Sequence, residues 1–380
     1  MTILLDSNAG APLHPAVREA LFAFLGTQES ASEESTGNPS SLHAYGRKSS
    51  AIIAAAEAAI LKTVQAPPSE WSVTFTSSGT EANQLGIRSV LEPAIATGKG
   101  AVWAVSEIEH SCVLDLIPEM KGRGVEIRML KANASGEVNE LGVAEGANLL
   151  SVIGVGNETG ILHDLLTSHI LSAKNDSTTR KTVVHRDFVA GWGKKELILS
   201  APFSPDLIAI SGHKLGGLSG VGALIHRKSN LIKRKGTPNL AGITGMKALA
   251  EDWPNVVSGI AQLATIRDAF EIELLKRFLK VVLTGEGLGR APNVSHFYFP
   301  GLKKDLSLVP LLDLRGFAVS SGSACASGAP QPSHVLLAMG LSELDARNAL
   351  RVSLHPRNSG EELTAFLDAL GEILKRNEVI

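Results

Sequence analysis

The run Asp206-Leu-Ile-Ala-Ile-Ser-Gly-His-Lys214 carries an apolar stretch into small polar residues and then delivers one amine into the turn Leu215-Gly-Gly217. A lysine presented in this way, beside the hydroxyl of Ser211 and the imidazole of His213, can be held near an anion and partly desolvated, which favours attack on an aldehyde. Most lysines are solvated surface groups, so Lys214 alone proves little. Other segments that read as strand ends add to it. In chain order they are Ser77-Ser-Gly-Thr-Glu-Ala-Asn83, Glu109-His110, Asn157-Glu158 and His185-Arg-Asp187.

Gly79 and Thr80 open a helical stretch, where free backbone N–H groups and a hydroxyl bind phosphate. Asp187 follows another strand and suits a protonated pyridine nitrogen, while His110 suits stacking on a ring. Taken singly, these residues read as an N-cap, a turn carboxylate and a structural histidine. Together they make a phosphate grip, a ring face, a pyridinium partner and a Schiff-base amine. That is the complement pyridoxal phosphate needs to act as an electron sink.

The elements that must position these groups alternate in α/β fashion. Helical spacing occurs at residues 15–25, 45–64 and 80–91, and strand-like runs at 71–76, 101–105, 125–130, 149–155, 182–185, 207–210 and 221–225. This predicts an α/β fold with a mainly parallel sheet of seven strands, covered on both faces, whose ligands lie at the carboxyl ends of its strands. After residue 250 the pattern changes. A long amphipathic stretch at 256–282 precedes short strands at 294–299 and 317–320 and helices at 333–339 and 360–376, which reads as a smaller α+β unit. We therefore expect a large domain over 15–250 and a small one from 1–14 and 251–380. The segment 27–37, rich in serine and glutamate, is not expected to order by itself.

Composition narrows the class. With 380 residues, 44% hydrophobic content and a net charge of −2, the chain can bury a large core and carries no charge excess suited to nucleic acid or an anionic membrane. No apolar run is long enough to span a bilayer and the N-terminus lacks a basic leader, so a cytoplasmic location is expected. Only Cys112 and Cys325 are present, too few for a disulfide framework or a cysteine zinc site. No metal site is expected. Cys325 sits in the small, polar run Ser320-Ser-Gly-Ser-Ala-Cys325, whereas Cys112 opens an apolar helix and reads as packing.

These motifs resemble, nearly end to end, the cysteine desulfurases of the NifS/IscS type, in the class V aminotransferase superfamily of fold-type I pyridoxal-phosphate enzymes. Leu5-Asp-Ser-Asn8 is similar to the family's Leu-Asp-Asn-Asn, and Gly37-Asn-Pro-Ser-Ser-Leu-His43 to its Asn-Pro-Ser-Ser-x-His. Asn157-Glu-Thr-Gly160, the Cys325 run and Leu350-Arg-Val-Ser-Leu354 extend the match. The resemblance implies that Lys214 is the Schiff-base lysine, that Asp187 pairs with the pyridine nitrogen and that His110 stacks on the ring. It implies that Gly79, Thr80, Ser211 and His213 hold the phosphate, with Thr237 reaching the phosphate of the other subunit in a homodimer. Asn157 would meet the ring hydroxyl and the substrate, Asn38 would line the substrate site, and Arg351 would clamp the substrate carboxylate. Cys325 would take sulfur from L-cysteine as a persulfide, leaving alanine, and pass it to an acceptor such as an iron–sulfur scaffold or a sulfur carrier.

The chain departs from the pattern in three places. Ala190 stands where the family has a glutamine, the glycine-rich segment before Thr237 is missing, and Leu354-His-Pro-Arg357 replaces a usual Gly-Arg-x-Thr-Thr. These departures keep two alternatives open: another class V activity, such as a selenocysteine lyase or aminotransferase, and a degenerate sulfur-relay subunit. A nicotinamide oxidoreductase is a more distant alternative. It rests on Gly154-Val-Gly156-Asn-Glu-Thr-Gly160, which imitates a dinucleotide fingerprint if a helix follows it.

Overall fold

The computed structural model describes residues 2–26, 36–138, 141–163, 182–201, 204–229, 232, 236–302, 304–321 and 331–377. Cys325 and most of the polar segment 27–37 lie outside the described residues.

A seven-stranded sheet forms the larger layer. Its strands are β2 (Trp71–Thr76), β3 (Ala101–Ser106), β4 (Val125–Leu130), β5 (Leu149–Ser151), β6 (Val183–Asp187), β7 (Leu207–Ile210) and β8 (Gly222–Arg227). They lie in the order β2-β8-β7-β6-β5-β3-β4. All run the same way except β8, which pairs antiparallel with both neighbours. Six carboxyl strand ends therefore open on one edge. The central strands are apolar on both faces, as β7 shows with every residue buried, because helices cover both sides.

On one face lie α1 (Pro15–Gly26), α2 (Ala44–Thr63) and the helix Leu240–Glu251, with Val17, Ile60, Ile243 and Met246 packed against Trp71, Ile208 and Ile225. On the other, α3 (Gly79–Ala96) brings Ile87 and Leu91 onto Trp103 and Val105. Each such side chain, fully buried, contributes about 1.5–3 kcal/mol.

A second apolar core gathers Phe270, Phe297, Phe299, Phe317 and Phe366. Around it the strands β9 (Val282–Leu283), β10 (Val294–Tyr298) and β12 (Leu350–Ser353) form an antiparallel sheet, while β1 (Ile3–Leu4) pairs in parallel with β11 (Phe317–Ala318). The helix Gly360–Arg376 begins with a capping box between Ser359 and Glu362 and turns Leu363, Phe366, Leu367, Leu370 and Leu374 inward.

Two expectations change in detail. The stretch 256–282 is two helices, Trp253–Ala261 and Leu263–Arg277, followed by β9. The second helix ends at Phe278, whose backbone leaves the helical region at φ −127°, ψ 87°, and whose ring packs edge-on against Phe299 at 6.1 Å. The glycine run after β5 does not open a helix. Gly156 N–H donates to the Ile161 carbonyl and Val155 bridges Leu162, so the chain folds back as a tight turn with Gly160 at φ +72°. The glycines there serve a reversal, and among the described residues no helix opens on them.

Candidate active site

The carboxyl ends of the parallel strands close around a cavity of about 380 Å³. Gly79, Thr80, His110, Asn157, Asp187, Ser211, His213 and Lys214 all stand on its wall, as does Ala190. The sequence places them there because each follows a strand that reaches the same edge of the sheet.

At the β2 end, the Ser78 hydroxyl accepts the Glu81 N–H (3.1 Å) and caps α3. The Glu81 carboxylate turns back to accept from Ser77 Oγ (2.6 Å). With Glu81 capped, the N–H groups of Gly79 and Thr80 are left for an anion at the positive end of an 18-residue helix. Close packing fixes this turn. A Cβ on Gly222 would lie 2.4 Å from the Ser78 carbonyl carbon, and one on Gly79 would lie 2.5 Å from Val189 Cγ2.

At the β6 end, Asp187 is buried, with Oδ1 accepting from Val189 N (2.9 Å) and Oδ2 from Asn83 Nδ2 (2.8 Å). At the β7 end, Ser211 Oγ lies 2.9 Å from both His213 Nδ1 and the Val221 carbonyl. Burial pushes the His213 imidazole down to about 4, with the Lys214 and Lys194 ammonium groups adding to the shift. Lys214 Nζ donates to Asn157 Oδ1.

At the β3 end, His110 caps the short helix Ser111–Leu114 by accepting Cys112 N–H at Nδ1 (3.2 Å). Burial lowers its pKa, against the pull of Asp187, so at neutral pH the ring presents an uncharged face.

Three expected members stand off this wall. Arg351 is 1% exposed and is already engaged, donating to Asp6 Oδ1 (2.8 Å) and to the Asn157 carbonyl (3.0 Å). Asn38 is exposed and its Oδ1 accepts from Ser40 N (2.9 Å). Thr237 is exposed too. Neither residue lines the cavity.

Several residues gain a place that the sequence reading did not assign. Lys194 is buried, and its Nζ donates to Asn8 Oδ1 (2.6 Å), while Asn8 Nδ2 donates to the Asn157 carbonyl (2.6 Å). Burial first, then Lys214 and Arg351, hold its amine well below the ordinary lysine range. The one cue was its position two residues beyond Trp192, after a glycine at φ +77°. Glu109 is fully buried with no partner for either carboxyl oxygen among the described residues; burial, and then the nearby Asp187, push its pKa well up. Glu158 is buried and accepts from Ser333 Oγ. Cys112 packs as expected, with burial pushing its thiol up to about 12, yet it also borders the cavity and meets Asn83 Nδ2 at 3.5 Å.

Known proteins share this architecture. The aminotransferase class-V family model matches residues 3–234 and 229–366. A cysteine desulfurase IscS from Dictyoglomus turgidum is 32% identical, covering 100% of this chain and 96% of its own. A cysteine desulfurase from Cereibacter sphaeroides is 33% identical, covering 98% and 95%. The crystal structure of a NifS-like protein from Rickettsia africae superposes with a TM-score of 0.83 at 28% identity, over 99% of this chain and 100% of that one. With a matching fold and full-length similarity, the chain belongs to the class-V aminotransferase family, among the cysteine desulfurases of the IscS and NifS type.

Proposed function

We propose that this protein is a pyridoxal-phosphate-dependent cysteine desulfurase that takes sulfur from L-cysteine and leaves L-alanine. The observation that carries the reading is a single cavity wall holding an amine (Lys214), a buried carboxylate (Asp187) and an uncapped helix turn (Gly79, Thr80), in a chain similar end to end to cysteine desulfurases. The donor set fits the cofactor. Gly79 and Thr80 N–H, with the Thr80 and Ser211 hydroxyls and His213, would hold its phosphate. Asp187 would accept the ring N–H, and the neutral His110 ring would cover one face. When bound, pyridoxal phosphate supplies an electron sink for the Cα–H bond of an amino acid.

The chain's own residues do the rest. Lys214 holds and moves a proton at Nζ, and Asn157 Oδ1 orients that amine. Arg351 has the bidentate geometry for a carboxylate, and it must exchange Asp6 for the substrate to use it. Cys325 is the expected sulfur acceptor, Asn38 and Thr237 the expected contributors from outside the wall, and the missing glutamine at Ala190 removes one ring contact. The division into 15–250 and 1–14 with 251–380 belongs to the same proposal, supported by the separate core around Phe297 and Phe366. A homodimer, a downstream sulfur-acceptor protein and a cytoplasmic location rest on the family relationship. Among the described residues no helix is long and apolar enough to cross a membrane.

Incubating the purified protein with pyridoxal phosphate and L-cysteine, and measuring alanine and protein-bound persulfide together, tests the reading. The expected result is alanine in step with a persulfide that is lost in Cys325→Ala. A keto acid instead of alanine would point to aminotransfer, and neither product would leave the chain a non-catalytic relative.

A further inference from the structure

Five buried polar groups form one hydrogen-bonded line that runs into the cavity wall, and of these the proposed chemistry has used only Asp187. Trp103 Nε1 donates to Ser151 Oγ (2.9 Å), Ser151 Oγ lies 3.2 Å from His185 Nδ1, His185 Nε2 lies 3.0 Å from Asn83 Oδ1, and Asn83 Nδ2 donates to Asp187 Oδ2 (2.8 Å). All five are 5% exposed or less. The line crosses from β3 through β5 and β6 to α3 and ends on the carboxylate in the cavity wall.

Its direction is fixed at both ends. An indole N–H can only donate and an ionised carboxylate can only accept. Ser151 therefore receives from Trp103 and gives its own proton to His185 Nδ1. That makes Nε2 the protonated nitrogen of His185, which gives to Asn83 Oδ1 and leaves the amide N–H for Asp187. Every group is then satisfied with a neutral imidazole. Leaving a buried polar group unpaired is costly, so the line holds the Asn83 amide, the His185 tautomer and the Asp187 carboxylate in one mutual arrangement.

We propose that Asn83 and His185 are positioning residues that hold Asp187 aimed into the cavity, with the His185 tautomer set by the direction of the line that ends on that carboxylate. This rests on the reading that Asp187 receives the ring nitrogen of pyridoxal phosphate, but its central claim can be read without the cofactor. In the protein without added cofactor, nitrogen-15 NMR of labelled histidines, with His185 assigned through His185→Gln, should show His185 as a single Nε2–H tautomer, neutral from pH 8 to about 5.5. In Ser151→Ala, where Asp187 and Asn83 still fix the other end, the Nε2–H tautomer should persist, whereas in Asn83→Ala, which cuts the link to the carboxylate, it should give way to a mixture of tautomers.

With pyridoxal phosphate, Asn83→Ala should bind the cofactor at least about tenfold more weakly, the cost of one hydrogen bond to a charged group. It should also displace the pH midpoint of the absorption band of the lysine-bound cofactor. His185→Gln, whose amide can still donate to Asn83, should recover more of that midpoint than His185→Ala. An Nδ1–H or charged His185 in the parent protein would overturn the proposal. So would an Asn83→Ala variant that loses only thermal stability and keeps both affinity and midpoint. A parent protein that binds no pyridoxal phosphate but shows the Nε2–H tautomer would overturn the cofactor reading while leaving the relay intact.

Discussion

Lys194 puts a second amine into the interior beside the first, and its cost to the fold depends on pH. Its folded pKa lies below the ordinary 10.5, so between those values the unfolded chain carries a proton that the folded chain lacks. Stability then rises with pH across that window and falls as pH drops through it. We expect the stability of Lys194→Met relative to the parent to increase as pH falls below 10.5, by at most about 1.4 kcal/mol per pH unit while the folded amine stays neutral. Urea unfolding of both proteins at pH 7, 8, 9 and 10 checks this, and a constant difference would mean that Lys194 is charged in the fold. The residue also shows what sequence reading can reach. Lys214, Asp187, His110 and Asn157 were legible because they follow strands, and strand ends converge. Lys194, Asn83 and Asn8 were not, because their roles depend on partners far along the chain: Asn83 is 102 residues from His185, and Lys194 is 186 from Asn8. Arg351 was placed close to its expected neighbourhood, but nothing in its motif revealed that Asp6 already holds it.

Among the elements, the turn from β2 into α3 tolerates little added volume. A Cβ at Gly222, on the neighbouring strand β8, would meet Ser78 backbone atoms at 2.4 and 2.5 Å, whereas one at Gly79 would meet chiefly the Val189 side chain. Backbone cannot yield without moving the cap; a side chain can yield in part. Gly222→Ala should therefore lower the thermal midpoint more than Gly79→Ala, by an amount on the order of 2–4 kcal/mol in stability, and should weaken inorganic phosphate binding with it. Melting curves with and without phosphate decide the order; equal midpoints would mean that the β2–α3 turn shifts freely. The strands that form this layer were readable from apolar runs, with β2, β4 and β7 matching their expected bounds. The helix Leu240–Glu251 and the strand β12 were not foreseen as elements. Both are buried through much of their length, so neither shows the polar face that marks a helix or strand period.

Across the whole molecule, buried histidines set the acid limit. Burial lowers His163 and His296 to about 3 and His185 to about 4, from an ordinary 6.5. Below pH 6.5 the unfolded chain takes up protons that these three rings refuse, so stability falls as pH falls. Glu109 and Glu158, whose pKa values burial raises above 4.5, act in the opposite sense over the upper part of that range. The three histidines together contribute at most roughly 4 kcal/mol per pH unit, near pH 5, where the two glutamates oppose them; below about 4 His185 takes up its own proton and the decline eases. Denaturant midpoints from pH 7 to pH 4 test it, and a flat profile down to pH 4 would show that the rings are charged or solvated. The site is also stitched from segments far apart in sequence. Asp6 pairs with Arg351, Ser7 Oγ donates to the Leu354 carbonyl, and Asn8 reaches Asn157. A ribosome making this protein thus builds Asp6 and Ser7 345 and 347 codons before their partners exist. Until Arg351 has emerged, the nascent polypeptide can assemble the sheet and its cavity wall but not the ties that join Asp6 and Ser7 to β12 and its end.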